Sequence, residues 1–196
     1  MVLLIDNFDS FSHILADYFM QAGLEIEILR NDVDLEIIKE KEWRGLILSP
    51  GPETPSRAGN LMQILEYFHD KIPVLGICLG HQAIGQFFGA DLVKSSKPVH
   101  GKVHPVFQVN EHEMLRGLPS SFQVTRYHSL EIKEIPESLE VLLATKDNEI
   151  MMMAHKFLPI VGIQYHPEAV LTEFGKETIG NWINYHKLVK PVFQVL

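Results

Sequence analysis

Apolar positions along the first ninety residues change period repeatedly. Val2 to Ile5 is a short continuous apolar run, which suits a strand buried on both faces. Phe11, Ile14, Leu15, Tyr18, Phe19 and Ala22 then fall at helical spacing, and Gly23 stops them. Ile26 to Leu29 reads as a second strand, and the polar stretch from Asp34 to about Lys41 as a helix. Gly45 to Leu48 forms a third strand, ended by Ser49-Pro50-Gly51-Pro52. Leu61, Ile64, Leu65 and Phe68 mark the next helix. Val74 to Ile77 is a fourth strand that runs into Cys78, and Leu79, Gln82, Ala83, Gln86 and Phe87 share one helical face closed by Gly89.

This β-α-β-α-β-α-β-α series predicts a parallel sheet covered by helices on both faces. From about Asp91 the pattern shifts to strand candidates separated by turns, at Val103–Val109, Phe122–Arg126, Val141–Thr145 and Ile150–Ala154. They predict a smaller, antiparallel layer. Val161 to Tyr165 is one more buried strand, leading into His166-Pro167-Glu168, and a helix from about Glu173 to Leu188 follows. The expectation is a three-layer α/β fold, doubly wound and flavodoxin-like, in one domain over 1–196. Ligands of such folds gather at the carboxyl ends of the strands. Asp6-Asn7-Phe8-Asp9, Ser49-Pro50-Gly51-Pro52 and Cys78-Leu79-Gly80 all fall there.

Composition adds limits. The chain has 196 residues, 46% apolar and 21% charged, enough for a sizeable core. A net charge of −8 without a basic run disfavours nucleic acid and anionic membranes as partners. No stretch reaches the ~20 apolar residues of a membrane span, and MVLLI is too short for a signal-peptide core. A single cysteine excludes an internal disulfide. The expected location is cytoplasmic, with the role of Cys78 open between packing and chemistry.

The surroundings of Cys78 favour chemistry. Gly76-Ile77-Cys78-Leu79-Gly80 has the Gly-x-nucleophile-x-Gly form of a sharp strand-to-helix turn. The turn presents the sulfur at the helix N-terminus, where free N–H groups favour thiolate, and the Leu79 N–H can hold an oxyanion. A free cysteine elsewhere is most often a small buried hydrophobe. His166-Pro167-Glu168 offers a base and its orienter, because residues i and i+2 of an extended strand end project to one side. Taken alone, it would be an exposed turn. Gly51 is a candidate second oxyanion donor, although the loop taken alone is an ordinary proline turn. His100 and His104 are separated by Gly101 and Pro105, and His112-Glu113 lacks the following histidine of a zinc protease motif, so no metal site is expected.

Together these residues resemble the class I glutamine amidotransferases over essentially the whole chain. Gly76 to Gln82 is similar to the family's GxCLGHQ elbow, and His166-Pro167-Glu168 to its HPE. Asp6-Asn7-Phe8-Asp9-Ser10-Phe11, His100-Gly101-Lys102 and Arg126-Tyr127-His128-Ser129-Leu130 resemble the glutaminase subunits of anthranilate and aminodeoxychorismate (para-aminobenzoate) synthases. The resemblance implies Cys78 as nucleophile, His166 as base and acid, Glu168 as orienter, and Gly51 and Leu79 as oxyanion donors. It places the substrate L-glutamine among Gly51, Pro52, Glu53, Leu79, Gln82, Ser129 and Leu130. It implies no cofactor in this chain, with Mg2+ only in a chorismate-binding synthase subunit (component I) that receives the ammonia. The length leaves no room for that synthase, so a separate partner chain is expected. Two positions depart from the pattern: Glu53 stands where SPGPG has its last glycine, and Ala169 where serine often follows HPE. A stand-alone cysteine hydrolase, such as a γ-glutamyl hydrolase, would use the same triad, and a non-catalytic binding module would not need it.

Overall fold

A computed structural model describes residues 1–95 and 97–189. Ser96 and residues 190–196, which the one-domain expectation includes, lie outside the described residues. The chain order is β1 (Val2–Asp6), α1 (Ser12–Gln21), β2 (Ile26–Arg30), α2 (Leu35–Lys39), β3 (Leu46–Leu48), α3 (Leu61–Phe68), β4 (Val74–Ile77), α4 (Leu79–Phe87), β5 (Asp91–Lys94), β6 (Lys102–Gln108), β7 (Ser121–Arg126), β8 (Leu130–Lys133), β9 (Leu139–Ala144), β10 (Ile150–His155), β11 (Ile160–Ile163) and α5 (Gly175–Tyr185).

Nine of these strands form one sheet in the order β2-β1-β3-β4-β11-β10-β9-β6-β7. The first five are mutually parallel, and the other four continue the sheet antiparallel. The expected α/β architecture is present. The strands read as an antiparallel layer extend the main sheet, and the separate small antiparallel sheet is β5 with β8. Neither of those two strands was expected. At four residues each, they are too short to show an alternation.

The continuous apolar run of β1 follows from its place between two helical layers. Val2 and Leu4 join a core with Leu15 and Phe19 of α1 and Trp182 and Ile183 of α5. Leu3 and Ile5 point the other way, to Leu61, Ile64 and Leu65 of α3 and Ala83 and Ile84 of α4. Each side chain of the strand is therefore desolvated, which is the main source of its stability.

The topology also places the site. β1 pairs with β2 on one side and β3 on the other, so the chain leaves β1 in opposite directions and opens a crevice at the carboxyl edge. The loops after β1 and β3 are tied across that crevice. Asn7 N–H donates to Ser49 Oγ at 2.9 Å, and Asn7 Nδ2 donates to the Ser49 carbonyl at 2.8 Å. The third suspect loop follows β4, and the HPE segment follows β11, paired in parallel with β4 so that Ile163 faces Ile77. Among the described residues, no helix is long and apolar enough to cross a membrane.

Candidate active site

Cys78 sits between β4 and α4 with φ 52° and ψ −98°. A non-glycine residue holds such a backbone only at a cost of about 1–3 kcal/mol, compensated by its surroundings. Cys78 N–H donates to the Ile163 carbonyl at 2.8 Å, and the Cys78 carbonyl accepts from Gln82 N–H at 3.0 Å. The glycines on either side allow the helix to settle this close. A Cβ on Gly76 would lie 2.4 Å from the Gly80 carbonyl, and one on Gly80 would lie 2.4 Å from the Leu48 carbonyl oxygen. The predicted elbow is therefore present, with the sulfur at the sheet's carboxyl edge.

His166 and Glu168 are buried at 2% and 1% exposure. His166 Nδ1–H donates to Glu168 Oε1 at 2.7 Å. Engaging Nδ1 in this way leaves Nε2 for proton transfer. Nε2 is buried without a hydrogen-bond partner among the described residues, and the neighbour that acts on it most is Cys78. Burial alone would lower the His166 pKa. The Cys78 sulfur and the Glu168 carboxylate outweigh burial and hold it well above the ordinary 6.5. Contacts around a catalytic base commonly close to hydrogen-bond geometry only when substrate binds.

The HPE backbone is fixed by residues the sequence reading did not pick out. His166 N–H donates to the Thr125 carbonyl at 3.1 Å. The Thr172 hydroxyl donates to the His166 carbonyl at 2.7 Å and accepts from Thr125 N–H at 2.9 Å. Thr172 thus supplies a polar tie next to Ala169, where the family pattern puts serine. Nothing in the spacing of the chain pointed to it.

Gly51 packs against the loop after β1 and the first residue of α4. A Cβ there would meet Asn7 Cβ at 2.5 Å and Leu79 Cδ2 at 2.7 Å, so the loops carrying the two candidate oxyanion donors are in direct contact. Pro52 and Glu53 are exposed beside it. Glu53 has φ 64°, a left-handed backbone that the family glycine would adopt without strain, and its carboxylate pairs with Arg57 at 3.0 Å.

The remaining candidates cluster around α4 and β8. Gln82 is buried, and its Nε2 donates to the Leu130 carbonyl and to Gln164 Oε1, both at 3.2 Å. Its amide nitrogen is therefore turned to the protein, and it braces the Ser129-Leu130 backbone. The Ser129 carbonyl accepts from Ser95 N–H at 2.9 Å, and the Ser129 side chain is exposed. Behind this loop, Arg126 joins Glu149 at 2.8 Å and donates through Nε to His128 Nε2 at 3.0 Å. His128 is pushed down to about 3 by burial and then by the Arg126 charge, and His81 down to about 4 by burial. Both are neutral imidazoles at neutral pH. Asp9 is shifted up, chiefly by burial. Among the described residues, no group of three or more His, Cys, Asp or Glu could hold a metal ion.

Comparison with known proteins agrees with this geometry. The family model described as glutamine amidotransferase class-I matches residues 3–184. The chain is 40% identical over 193 residues to the aminodeoxychorismate/anthranilate synthase component 2 of Bacillus subtilis (strain 168), covering 95% of this chain and 97% of that one. It is 42% identical over 191 residues to the anthranilate synthase component 2 of Pseudomonas aeruginosa, covering 93% and 94%. A solved structure from Thermoplasma acidophilum, named for GMP synthase, superposes with a TM-score of 0.85 at 27% identity, covering 95% of this chain and 93% of that one. With the elbow, the buried His-Glu pair and the proline-glycine loop at one sheet edge, this chain belongs to the class I glutamine amidotransferase family.

Proposed function

We propose that the protein hydrolyses L-glutamine to glutamate and ammonia and passes the ammonia to a separate chorismate-using synthase subunit. One observation carries the chemistry: the strained Cys78 elbow and the buried His166–Glu168 pair meet at the same sheet edge, with the Gly51 loop against Leu79.

In this reading, the Cys78 thiolate attacks the side-chain amide carbon of glutamine. The oxyanion that forms is held by the N–H groups of Gly51 and Leu79, each worth about 3–4 kcal/mol in comparable sites. Protonated His166 gives its proton to the leaving nitrogen, which departs as ammonia. The γ-glutamyl thioester remains on Cys78. His166, now neutral, takes a proton from water, and the resulting attack releases glutamate and regenerates the thiolate–imidazolium pair. Glu168 stabilises the imidazolium in both steps. Ser129 and Leu130 hold the substrate's α-amino and α-carboxylate groups, largely through backbone. Gln82 fixes that backbone, and Pro52 and Glu53 line the approach.

The names of the relatives support the synthase partner, and either the anthranilate or the aminodeoxychorismate product is compatible with one small glutaminase chain. The reading keeps the chain cytoplasmic, as one domain without a cofactor of its own, and leaves Mg2+ to the chorismate site of the partner. The N-terminal Asp6 to Phe11 motif, with Phe8 half exposed on the same edge, forms part of the docking surface.

Mixing this protein with the chorismate-using subunit tests the reading. Glutamine should support product formation, and Cys78→Ser protein should leave only the reaction fed by added ammonia. Equal glutamine-dependent rates with Cys78→Ser would refute it. Full glutaminase activity that ignores the partner would favour a stand-alone hydrolase.

A further inference from the structure

We propose that Phe11 and Tyr127, packed on each other and each edge-on to the His166 imidazole, buttress it and thereby set its aim at Cys78. The inference rests on the reading of Cys78 and His166 as the reacting pair.

The single Nδ1–Oε1 bond to Glu168 leaves the imidazole free to rock about that direction. Two aromatic rings limit this freedom. Tyr127 meets the imidazole at a centroid distance of 5.0 Å, and Phe11 at 5.7 Å, both with the ring planes 71° apart. Phe11 and Tyr127 also touch each other, at 5.4 Å, so the three rings form one closed group. Edge-to-face contacts of this kind have a preferred geometry, unlike aliphatic packing.

Each of these two rings is itself held. Phe11 N–H donates to Asp9 Oδ1 at 2.8 Å, Asp9 N–H to Asp6 Oδ1 at 3.1 Å, and Ser12 Oγ to Asp6 Oδ1 at 2.6 Å. The N-terminal motif is thus a loop folded on its own carboxylates, and its end product is the placement of Phe11. Tyr127 lies between two buried, anchored residues, Arg126 and His128. His100 meets it edge-to-face at 5.3 Å and 88°, and Gly101 packs so closely that a Cβ would lie 3.3 Å from Tyr127 Cε1. Stretches 6–11 and 126–130 therefore meet at one imidazole, and 100–102 backs the Tyr127 ring. Any protein that presses on 6–11 and 100–102 acts on the alignment of the base.

Two measurements on the full chain test this. The first is steady-state glutamine hydrolysis by Phe11→Leu, Tyr127→Leu and Tyr127→Phe. The leucine variants should lose about tenfold in kcat with KM within about twofold, since misalignment costs rate more than binding. Tyr127→Phe, which keeps the ring, should restore the wild-type rate. The second uses iodoacetamide on Cys78 and compares alkylation at pH 6 with pH 9, a ratio that cancels changes in access. It should fall by about fivefold in the leucine variants, because the thiolate loses its imidazolium partner, and be retained in Tyr127→Phe. Wild-type kcat and alkylation ratio in both leucine variants would overturn the proposal, as would equal losses in Tyr127→Leu and Tyr127→Phe. If the wild-type chain released no glutamate while the ratios changed as expected, the glutaminase reading would fail and the aromatic buttress would stand.

Discussion

His166 Nδ1 and Glu168 Oε1 lie 2.7 Å apart with both side chains almost wholly out of water. A buried pair at this distance fixes which ring nitrogen carries the proton and makes the imidazolium the favoured form.

Replacing Glu168 by glutamine tests that pairing. The amide removes the negative charge and can present an N–H where an acceptor is needed. We expect kcat to fall by roughly 10²–10⁴-fold, by analogy with other triads. Glu168 raises the His166 pKa, so its loss should move the limb of the pH–rate profile governed by His166 to lower pH. An unchanged profile and rate would show that the pair does not act in catalysis.

The backbone of the base should matter as well as its ring. Thr172→Val leaves the His166 carbonyl and the Thr125 N–H without their shared hydroxyl. A loss of about 1–3 kcal/mol is expected, or several degrees in the melting temperature of a chain this size, together with a several-fold lower kcat. Thr172→Ser keeps the hydroxyl and should recover both. Calorimetry beside kinetics checks it; a serine variant as impaired as valine would contradict it.

Acid sensitivity should come partly from His81. Its pKa is about 4 in the folded chain, against 6.5 for an ordinary histidine, because of burial. Below pH 6.5 the unfolded chain binds a proton that the folded chain refuses. Stability is therefore complete above 6.5 and is lost as pH falls towards 4, by up to about 3 kcal/mol. Urea midpoints of wild type and His81→Leu between pH 7 and about pH 4.5 should diverge, with the variant showing the shallower decline. Parallel declines would rule the effect out.

Glu53 carries strain that its partner does not offset. A left-handed backbone costs a non-glycine residue about 1 kcal/mol, whereas the exposed pair with Arg57 is worth well under that. Glu53→Gly should raise the melting temperature by about 1–3 °C. A lower melting temperature would mean that the ion pair dominates.

The parallel half of the fold was legible because β1, β3, β4 and β11 are buried on both faces, and α1, α3 and α4 bury one apolar face. Val2 to Ile5 and Leu61 to Phe68 leave no ambiguity of period. The elbow and the His166–Glu168 pair were legible because a sharp strand-to-helix turn needs glycines at Gly76 and Gly80, and a stiff His–Glu pair can use proline. The second half was harder. Its antiparallel strands were seen, but not that they join the same sheet, since pairing partners leave no mark on a strand's own pattern. β5 and β8 are too short to be periodic. Thr125 and Thr172 act through backbone groups brought together by the fold. Phe11 was read as a helix-face and motif residue and Tyr127 as a motif residue, because their shared contact with His166 spans most of the chain.

Glutamate release by wild-type and Cys78→Ser protein, assayed with and without the chorismate-using subunit, tests the central claim most directly. The account predicts glutamate from wild type, increased by the partner, and none above background from Cys78→Ser. Substantial glutamine hydrolysis by the serine variant would contradict it.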